Sequence, residues 1–498
     1  MNVNPITRLD YPDPDVIRVE DTYYMVSTTM HFMPGCEILQ SFDLVHWEHV
    51  TYVYETLDHT DAQQLKSGQN IYGQGMWAAS LRYHEGRFYI CFVANDTRKT
   101  YLYTSEKIDG PWKKQLIEGF YHDGSLLFDE DGRSYIVYGN DEIWITELNE
   151  DLTAPKKDGL HRLLVSDHKN PELGYEGSHI QKINGYYYIF LIHSLRDRWM
   201  RTEACFYSDS LEGEFTGGDV LCDDRGYCGQ GVAQGGIVDT PDGKWYAMLF
   251  QDSGAVGRIP ILLPVTWKDH FPFFGQNGHV PEEIEVHSTR PGYIYQPLVG
   301  SDDFCNGLLP RWQFNHDPDP RYYHLDALQG TYIITTREVC TELTQAVNTL
   351  TQRMSYPSCA AEVTVDASAL KEGDVAGLCA LQGCYAAVGI TKHHGKYEVL
   401  MLDKKEDGIL DMTERTVVES HQMDFRLEAD FCNMKDEARC YYRVNKGDWL
   451  PIGTVHKLYF KLDHFTGCRF GLFCYAAEET GGSACFRDFK YYDVDEIS

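Results

Sequence analysis

The sequence predicts an all-β chain in which a five-bladed β-propeller is followed by a β-sandwich. Three observations carry this prediction. The 498 residues include 34 tyrosines, 23 phenylalanines, 9 tryptophans and 43 glycines, a mixture that favours many strands joined by tight turns. Five segments in the N-terminal part line up without a gap, beginning at Asp13, Trp77, Asp123, Glu176 and Gln234. After residue 300 that repeat stops, and apolar and polar residues alternate at period two instead.

The repeats justify the blades in order. Counted from the first residue of each segment, position +4 is aliphatic in every copy: Ile17, Leu81, Leu127, Ile180 and Val238. Position +9 is Gly86, Gly132, Gly185 and Gly243 in four copies, with Thr22 in the first. Position +12 is Tyr89, Tyr135, Tyr188 and Tyr246, with Met25 in the first. Each copy therefore reads as strand, tight turn, strand. The Glu-Gly, Asp-Gly and Asn-Gly pairs supply the positive φ of two-residue hairpins. A looser echo, Ser41 to Trp47, Ser105 to Trp112 and Ser208 to Phe215, adds a strand leaving through a turn. The copies start 64, 46, 53 and 58 residues apart, and roughly four strands in about fifty residues make a propeller blade. Five blades fill residues 1–295. A sandwich with coincidental hairpins would not give five ungapped copies. The stretch 287–300, HSTRPGYIYQPLVG, is poor in charge, holds two prolines and reads as the link. Beyond it, segments starting at Gly330, Ala360, Ala376, Ala386, Tyr397 and Phe470 alternate at period two between turns, so 301–498 reads as the sandwich.

Composition narrows the function. Lysine and arginine total 44 against 75 acids, a net charge of −31. So acidic a surface repels phosphate backbones and anionic lipid, and neither nucleic acid nor membrane is expected as a partner. No apolar run is long enough to span a bilayer. Met1 to Pro5 has neither the basic nor the apolar region of a secretory signal, and 15 scattered cysteines without a CxxC pair read as reduced thiols. Both features point to the cytoplasm.

The chemistry sits at one register. Innermost propeller strands line the central channel, so the five residues that open the repeats should form a ring. Three of them, Asp13, Asp123 and Glu176, are carboxylates. Acids frequently open strands or cap turns, which would explain any one of the three but not their common register. Carboxylates gathered in a cavity have their pKa values pushed apart, so one can serve as an acid and another as a base. Glycosidic bond hydrolysis needs that division of labour. Trp77 shares the register and is expected to wall the cavity. His31, His179 and His193 are read as packing or hydrogen-bonding residues, with His179 facing away from its even-numbered neighbours. Asp129-Glu130-Asp131-Gly132 is read as the hairpin turn of blade three rather than a calcium loop.

These residues resemble glycoside hydrolase family 43, five-bladed propeller enzymes acting on β-xylosides and α-L-arabinofuranosides. Tyr11-Pro12-Asp13-Pro14-Asp15 is similar to the family motif holding the general base, which implies that role for Asp13. His122 to Phe128 resembles the segment whose aspartate, here Asp123, orients the acid and tunes it. Tyr175-Glu176-Gly177-Ser178 resembles the segment carrying the general acid, here Glu176. Trp77 matches the tryptophan that walls the sugar subsite, Val256-Gly257-Arg258 the motif whose arginine reaches sugar hydroxyls, and Met30-HFMPG a blade-one pattern that makes Phe32 a candidate sugar contact. Asp303-Phe304 through Trp312 resembles the opening of the concanavalin-like sandwich appended to the family's β-xylosidases. Gln234 stands where the family frequently has a histidine that helps hold an axial metal or water. No cofactor is therefore expected, although calcium, which prefers oxygen ligands, is conceivable there.

The resemblance implies inverting hydrolysis, with Asp13 activating water and Glu176 protonating the departing oxygen across roughly 6.5–9.5 Å. The expected substrate is an oligosaccharide and the expected activity that of an exo-acting β-xylosidase, some α-L-arabinofuranosidase activity included. An α-L-arabinofuranosidase trimming arabinoxylan or arabinan stays open as the alternative, and a carbohydrate-binding propeller without turnover as a remoter one.

Overall fold

The computed structural model describes residues 2–493. Five separate four-stranded antiparallel sheets follow one another along the chain. Their first strands are Asp15–Val19, Met76–His84, Ser125–Phe128, Glu176–Ile183 and Val232–Asp239. These five strands contact one another in ring order, blade five closing on blade one. The short strand Asn2–Val3 pairs with Glu283–Ile284, tying the propeller's beginning to its end. Among the described residues, no helix is long and apolar enough to cross a membrane.

The hairpin turns come in two kinds. In blades two and four both turn residues are left-handed, Glu85-Gly86 at φ 49° and 78° and Asn184-Gly185 at 51° and 84°, the two-residue geometry that matches strand twist. In blade three Asp129 N–H donates to Arg133 O and Gly132 N–H to Asp129 O, and only the glycine is left-handed. Asp129 to Gly132 is thus a hairpin turn, and the Asp129 carboxylate accepts from Lys182 Nζ and Tyr187 Oη.

Midway down the axis, Arg82 locks the blades together. It donates to Asp15 on blade one, to Ser125 Oγ and Leu126 O on blade three, and to Ile180 O on blade four. His179 Nδ1 lies 3.1 Å from the same Asp15. Burial pushes Asp15 up, but Arg82 and His179 outweigh it and hold the carboxyl below its usual range. Alternation along an unbroken strand predicts His179 facing away from its even-numbered neighbours. The pairing of Glu176–Ile183 shifts between Glu176 and His179, and a bulge re-aims the side chains beyond it.

The C-terminal sandwich packs a seven-stranded sheet on an eight-stranded one. The edge strand of the larger sheet, Phe32–Met33, comes from blade one and pairs with Gln313–Asn315. Phe32 is therefore not a sugar contact: it is 1 % exposed and its ring lies 3.5 Å from the Arg469 guanidinium. Sequence spacing could not reveal this, because the strand that captures Phe32 lies more than 280 residues away. The interface is also ionic. Arg353 pairs with Glu37 at 2.8 Å, both nearly inaccessible, and donates to Asp10 O at 2.9 Å. Segment 287–300 is pinned on blade one, with Arg290 stacked 4.1 Å from the Phe42 ring and Gln296 N–H donating to Glu48.

Candidate active site

All five residues that open the repeats line one cavity at one end of the propeller axis. Local backbone explains why. Asp13, Asp123 and Gln234 have φ of 52°, 47° and 60°. In blades two and five the pairing shifts between Met76 and Ala79 and between Ala233 and Gly236. A regular strand would alternate its side chains. Left-handed residues and bulges break that alternation at the mouth of the channel.

Asp13 is buried and held from two sides. Its Oδ1 accepts from Arg258 Nη1 at 2.9 Å and its Oδ2 from Thr28 Oγ1 at 2.6 Å. An ionised carboxylate offers about four lone-pair sites, so these bonds leave room for a water. Arg258 is itself buried, and its N–H donates to Asp10 Oδ1 at 2.7 Å. The preceding Gly257 has φ 107°, and a Cβ there would lie 2.3 Å from Asp10. Only glycine lets this turn bring Arg258 to the cavity.

On the opposite side, Glu176 Oε2 accepts from Asn140 Nδ2 at 2.6 Å and lies 3.4 Å from His122 Nε2. Asp123 Oδ2 accepts from Gly177 N–H at 3.0 Å and lies 3.5 Å from the same imidazole nitrogen. Burial, then the charges of Glu176 and Asp13, push Asp123 up to about 6, against the pull of His122 and Gly177. Burial works against the charged form of His122, yet Asp123 and Glu176 outweigh it and raise the imidazole to about 9. His122 thus stays a cation at neutral pH.

Trp77 and Phe465 meet edge to face at 5.7 Å, and Phe465 also lies 4.3 Å from the Arg258 guanidinium. Phe465 belongs to the sandwich, whose Gly467 N–H donates to Asp10 Oδ2 at 2.8 Å. Asp10 therefore joins the strand carrying Arg258 to the loop carrying Phe465. Gln234 lies close over Gly177, and its N–H donates to Glu203 Oε2 at 2.7 Å.

Of the seven site residues named from the sequence, the cavity gathers six: Asp13, Trp77, Asp123, Glu176, Gln234 and Arg258. Phe32 lies elsewhere. The sequence reading missed His122, Thr28, Met30, Arg201 and Phe465, which also line the cavity. His122 could have been found from its place beside Asp123, had a left-handed Asp123 been foreseen. Nothing local could have flagged Phe465.

The donors around Gln234 do not suit an axial calcium, which takes six to eight oxygens. The next carboxylate down the axis, Asp15, is already engaged by Arg82, His179 and Leu81 N–H. Among the described residues one group of three metal-type donors lies together, His122, Asp123 and Glu176, within 4.8 Å of one another. There the His122 nitrogen already stands between the two carboxylates.

Comparison with known proteins supplies an independent reading. Residues 3–272 match the family model of glycosyl hydrolases family 43. Residues 301–492 match that of the β-xylosidase C-terminal concanavalin A-like domain. A β-xylosidase of Formosa agariphila is 27% identical over 99% of this chain and 89% of its own length. A non-reducing end α-L-arabinofuranosidase of Bacteroides ovatus is 25% identical over 66% of this chain and 64% of its own. A solved structure described as a bifunctional GH43-CE protein of Bacteroides eggerthii superposes with a TM-score of 0.92 and 42% identity. That match covers 99% of this chain, which spans 64% of the Bacteroides eggerthii protein.

Proposed function

The chain belongs to glycosyl hydrolase family 43, and from that premise we propose that it is an exo-acting β-xylosidase releasing xylose from xylo-oligosaccharides with inversion. One observation carries the reading: a single cavity holds Asp13 and Glu176 on separate hydrogen-bonding partners, with Phe465 of the sandwich set against Trp77 beside them. In this reading Asp13, fixed by Arg258 and Thr28, accepts a proton from the attacking water. Glu176 gives its proton to the departing oxygen, its Oε2 held by Asn140. Asp123 and His122 form a charged pair beside Glu176, with His122 Nε2 between the two carboxylates. Arg258 binds glycone hydroxyls, Trp77 walls the sugar, and Gln234 offers its amide to a hydroxyl. The reaction draws on no cofactor. A ring of Trp77 and Phe465 around one end favours attack on a terminal sugar over attack within a chain.

An α-L-arabinofuranosidase is the second reading, favoured by the likeness to the Bacteroides ovatus protein and by the similar hydroxyl patterns of the two pentosides. Purified protein assayed side by side on 4-nitrophenyl β-D-xylopyranoside and 4-nitrophenyl α-L-arabinofuranoside separates them, with Asp13→Asn as the blank. Faster release from the xyloside is expected. Faster release from the arabinofuranoside promotes the second reading, and silence on both from folded protein overturns both in favour of a binding propeller.

A further inference from the structure

We infer that Arg201 and Trp199 form a binding site for the hydroxyls of the leaving sugar. The inference rests on the glycosidase reading above. Arg201 opens the strand Arg201–Ser208, which pairs with Tyr186–Ser194, which in turn pairs with the strand opened by Glu176. Arg201 and the proposed proton donor thus stand on one blade, and the leaving oxygen lies on the donor's side of the scissile bond.

The guanidinium is oriented but not used up. Its Nε lies 2.8 Å from Asp252 Oδ2, and its carbon lies 5.1 Å from the Phe250 ring. Its Nε is sealed from solvent and held by that ion pair without an aligned hydrogen bond, while its two terminal amines donate to no protein group among the described residues. The side chain is nearly buried and lines the cavity. A fork held at its stem with its tips free is preorganised to donate two parallel hydrogen bonds.

Trp199 supplies the second half. It is 45% exposed, and its ring lies 5.6 Å from the Arg201 guanidinium. Its loop is pinned, with Leu195 N–H donating to Met200 O at 3.1 Å and Met200 N–H to Ser194 Oγ at 2.8 Å. An exposed indole fixed beside a donor fork offers a flat apolar face for the C–H side of a sugar and donors for its hydroxyl edge.

Charge decides between a neutral sugar and an acidic one. Arg201 is compensated by Asp252, Arg258 by Asp13, and His122 by Asp123 and Glu176. Among the described residues that line the cavity, no unmatched cation remains to offset the desolvation of a carboxylate. The site therefore takes the vicinal hydroxyls of a neutral pentose.

The test compares xylobiose with β-D-xylopyranosyl fluoride, whose leaving group has no hydroxyls. Trp199→Ala and Arg201→Lys should each lower the ratio of kcat/KM for xylobiose over the fluoride by about tenfold, the loss of one charge-assisted hydrogen bond or stacked face. Trp199 is half exposed, so its variant will fold even where Arg201→Lys does not. An unchanged ratio in the Trp199 variant overturns the proposal, as does a wild type that prefers a uronic acid over xylose as leaving sugar. Wild type inactive on the fluoride as well as on xylobiose marks failure of the underlying glycosidase reading. Activity on the fluoride with an unchanged ratio marks failure of this proposal alone.

Discussion

Asp123 is where burial and charge pull hardest against each other in the cavity. Its carboxyl rises from the ordinary 3.8 to about 6, burial first and the neighbouring carboxylates next. A group raised in the folded state favours folding below its unfolded pKa and loses that contribution as pH rises through the folded value. Asp123 therefore costs stability at neutral pH. The cost is on the order of 1–3 kcal/mol for a shift of this size. Relative to wild type, the Asp123→Asn variant should gain stability as pH rises from about 4 to about 6, while losing most of its activity. His122 is protonated throughout that window, since it titrates near 9, so it does not mask the effect. Denaturant melts at several pH values check this, and a constant difference between the two proteins would contradict it. Such strain at a carboxylate is what a working site pays in stability.

At the scale of single elements, the strand Gly35–Ser41 of blade one carries the ionic joint between propeller and sandwich. Burial pushes Glu37 up, yet Arg353, with His49 behind it, brings the carboxyl down to about 2. A lowered carboxyl contributes stability above its unfolded value and loses it as pH falls through the folded one. The joint should therefore hold fully above about pH 4.5 and fail toward pH 2. Glu37→Gln leaves Arg353 buried without its counter-charge, which costs about 3–5 kcal/mol. Calorimetry should show a fall in Tm at pH 7 and none at pH 2, and a Tm that stays put at pH 7 would contradict the joint. The strands themselves are legible because the blades repeat one pattern: an aliphatic at +4 in all five, with a turn glycine at +9 and a tyrosine at +12 in four. Phe32–Met33 was not, since a two-residue strand has no period and its pairing partner is fixed only by tertiary packing.

The whole molecule shows why the propeller ring could be read from sequence and the closed cavity could not. Ring positions are set by a repeat, and a repeat is visible along one chain. Five of the seven named residues fell into the cavity for that reason, Trp77 and Gln234 among them even though neither is a carboxylate, while Arg258 was found through the resemblance of Val256-Gly257-Arg258 to a family motif. Phe465 and Arg201 arise from packing between domains and between strands of a blade, where no register points. In the proposed mechanism Glu176 and Asp13 divide acid and base work across this cavity. The hydrolysis of xylobiose and 4-nitrophenyl β-D-xylopyranoside by Glu176→Ala tests that division. General acid catalysis contributes about 10²–10⁴-fold where the leaving group needs a proton, and nitrophenolate barely does. A loss of that size is expected on xylobiose and a much smaller one on the nitrophenyl xyloside. Equal losses on the two substrates would contradict it.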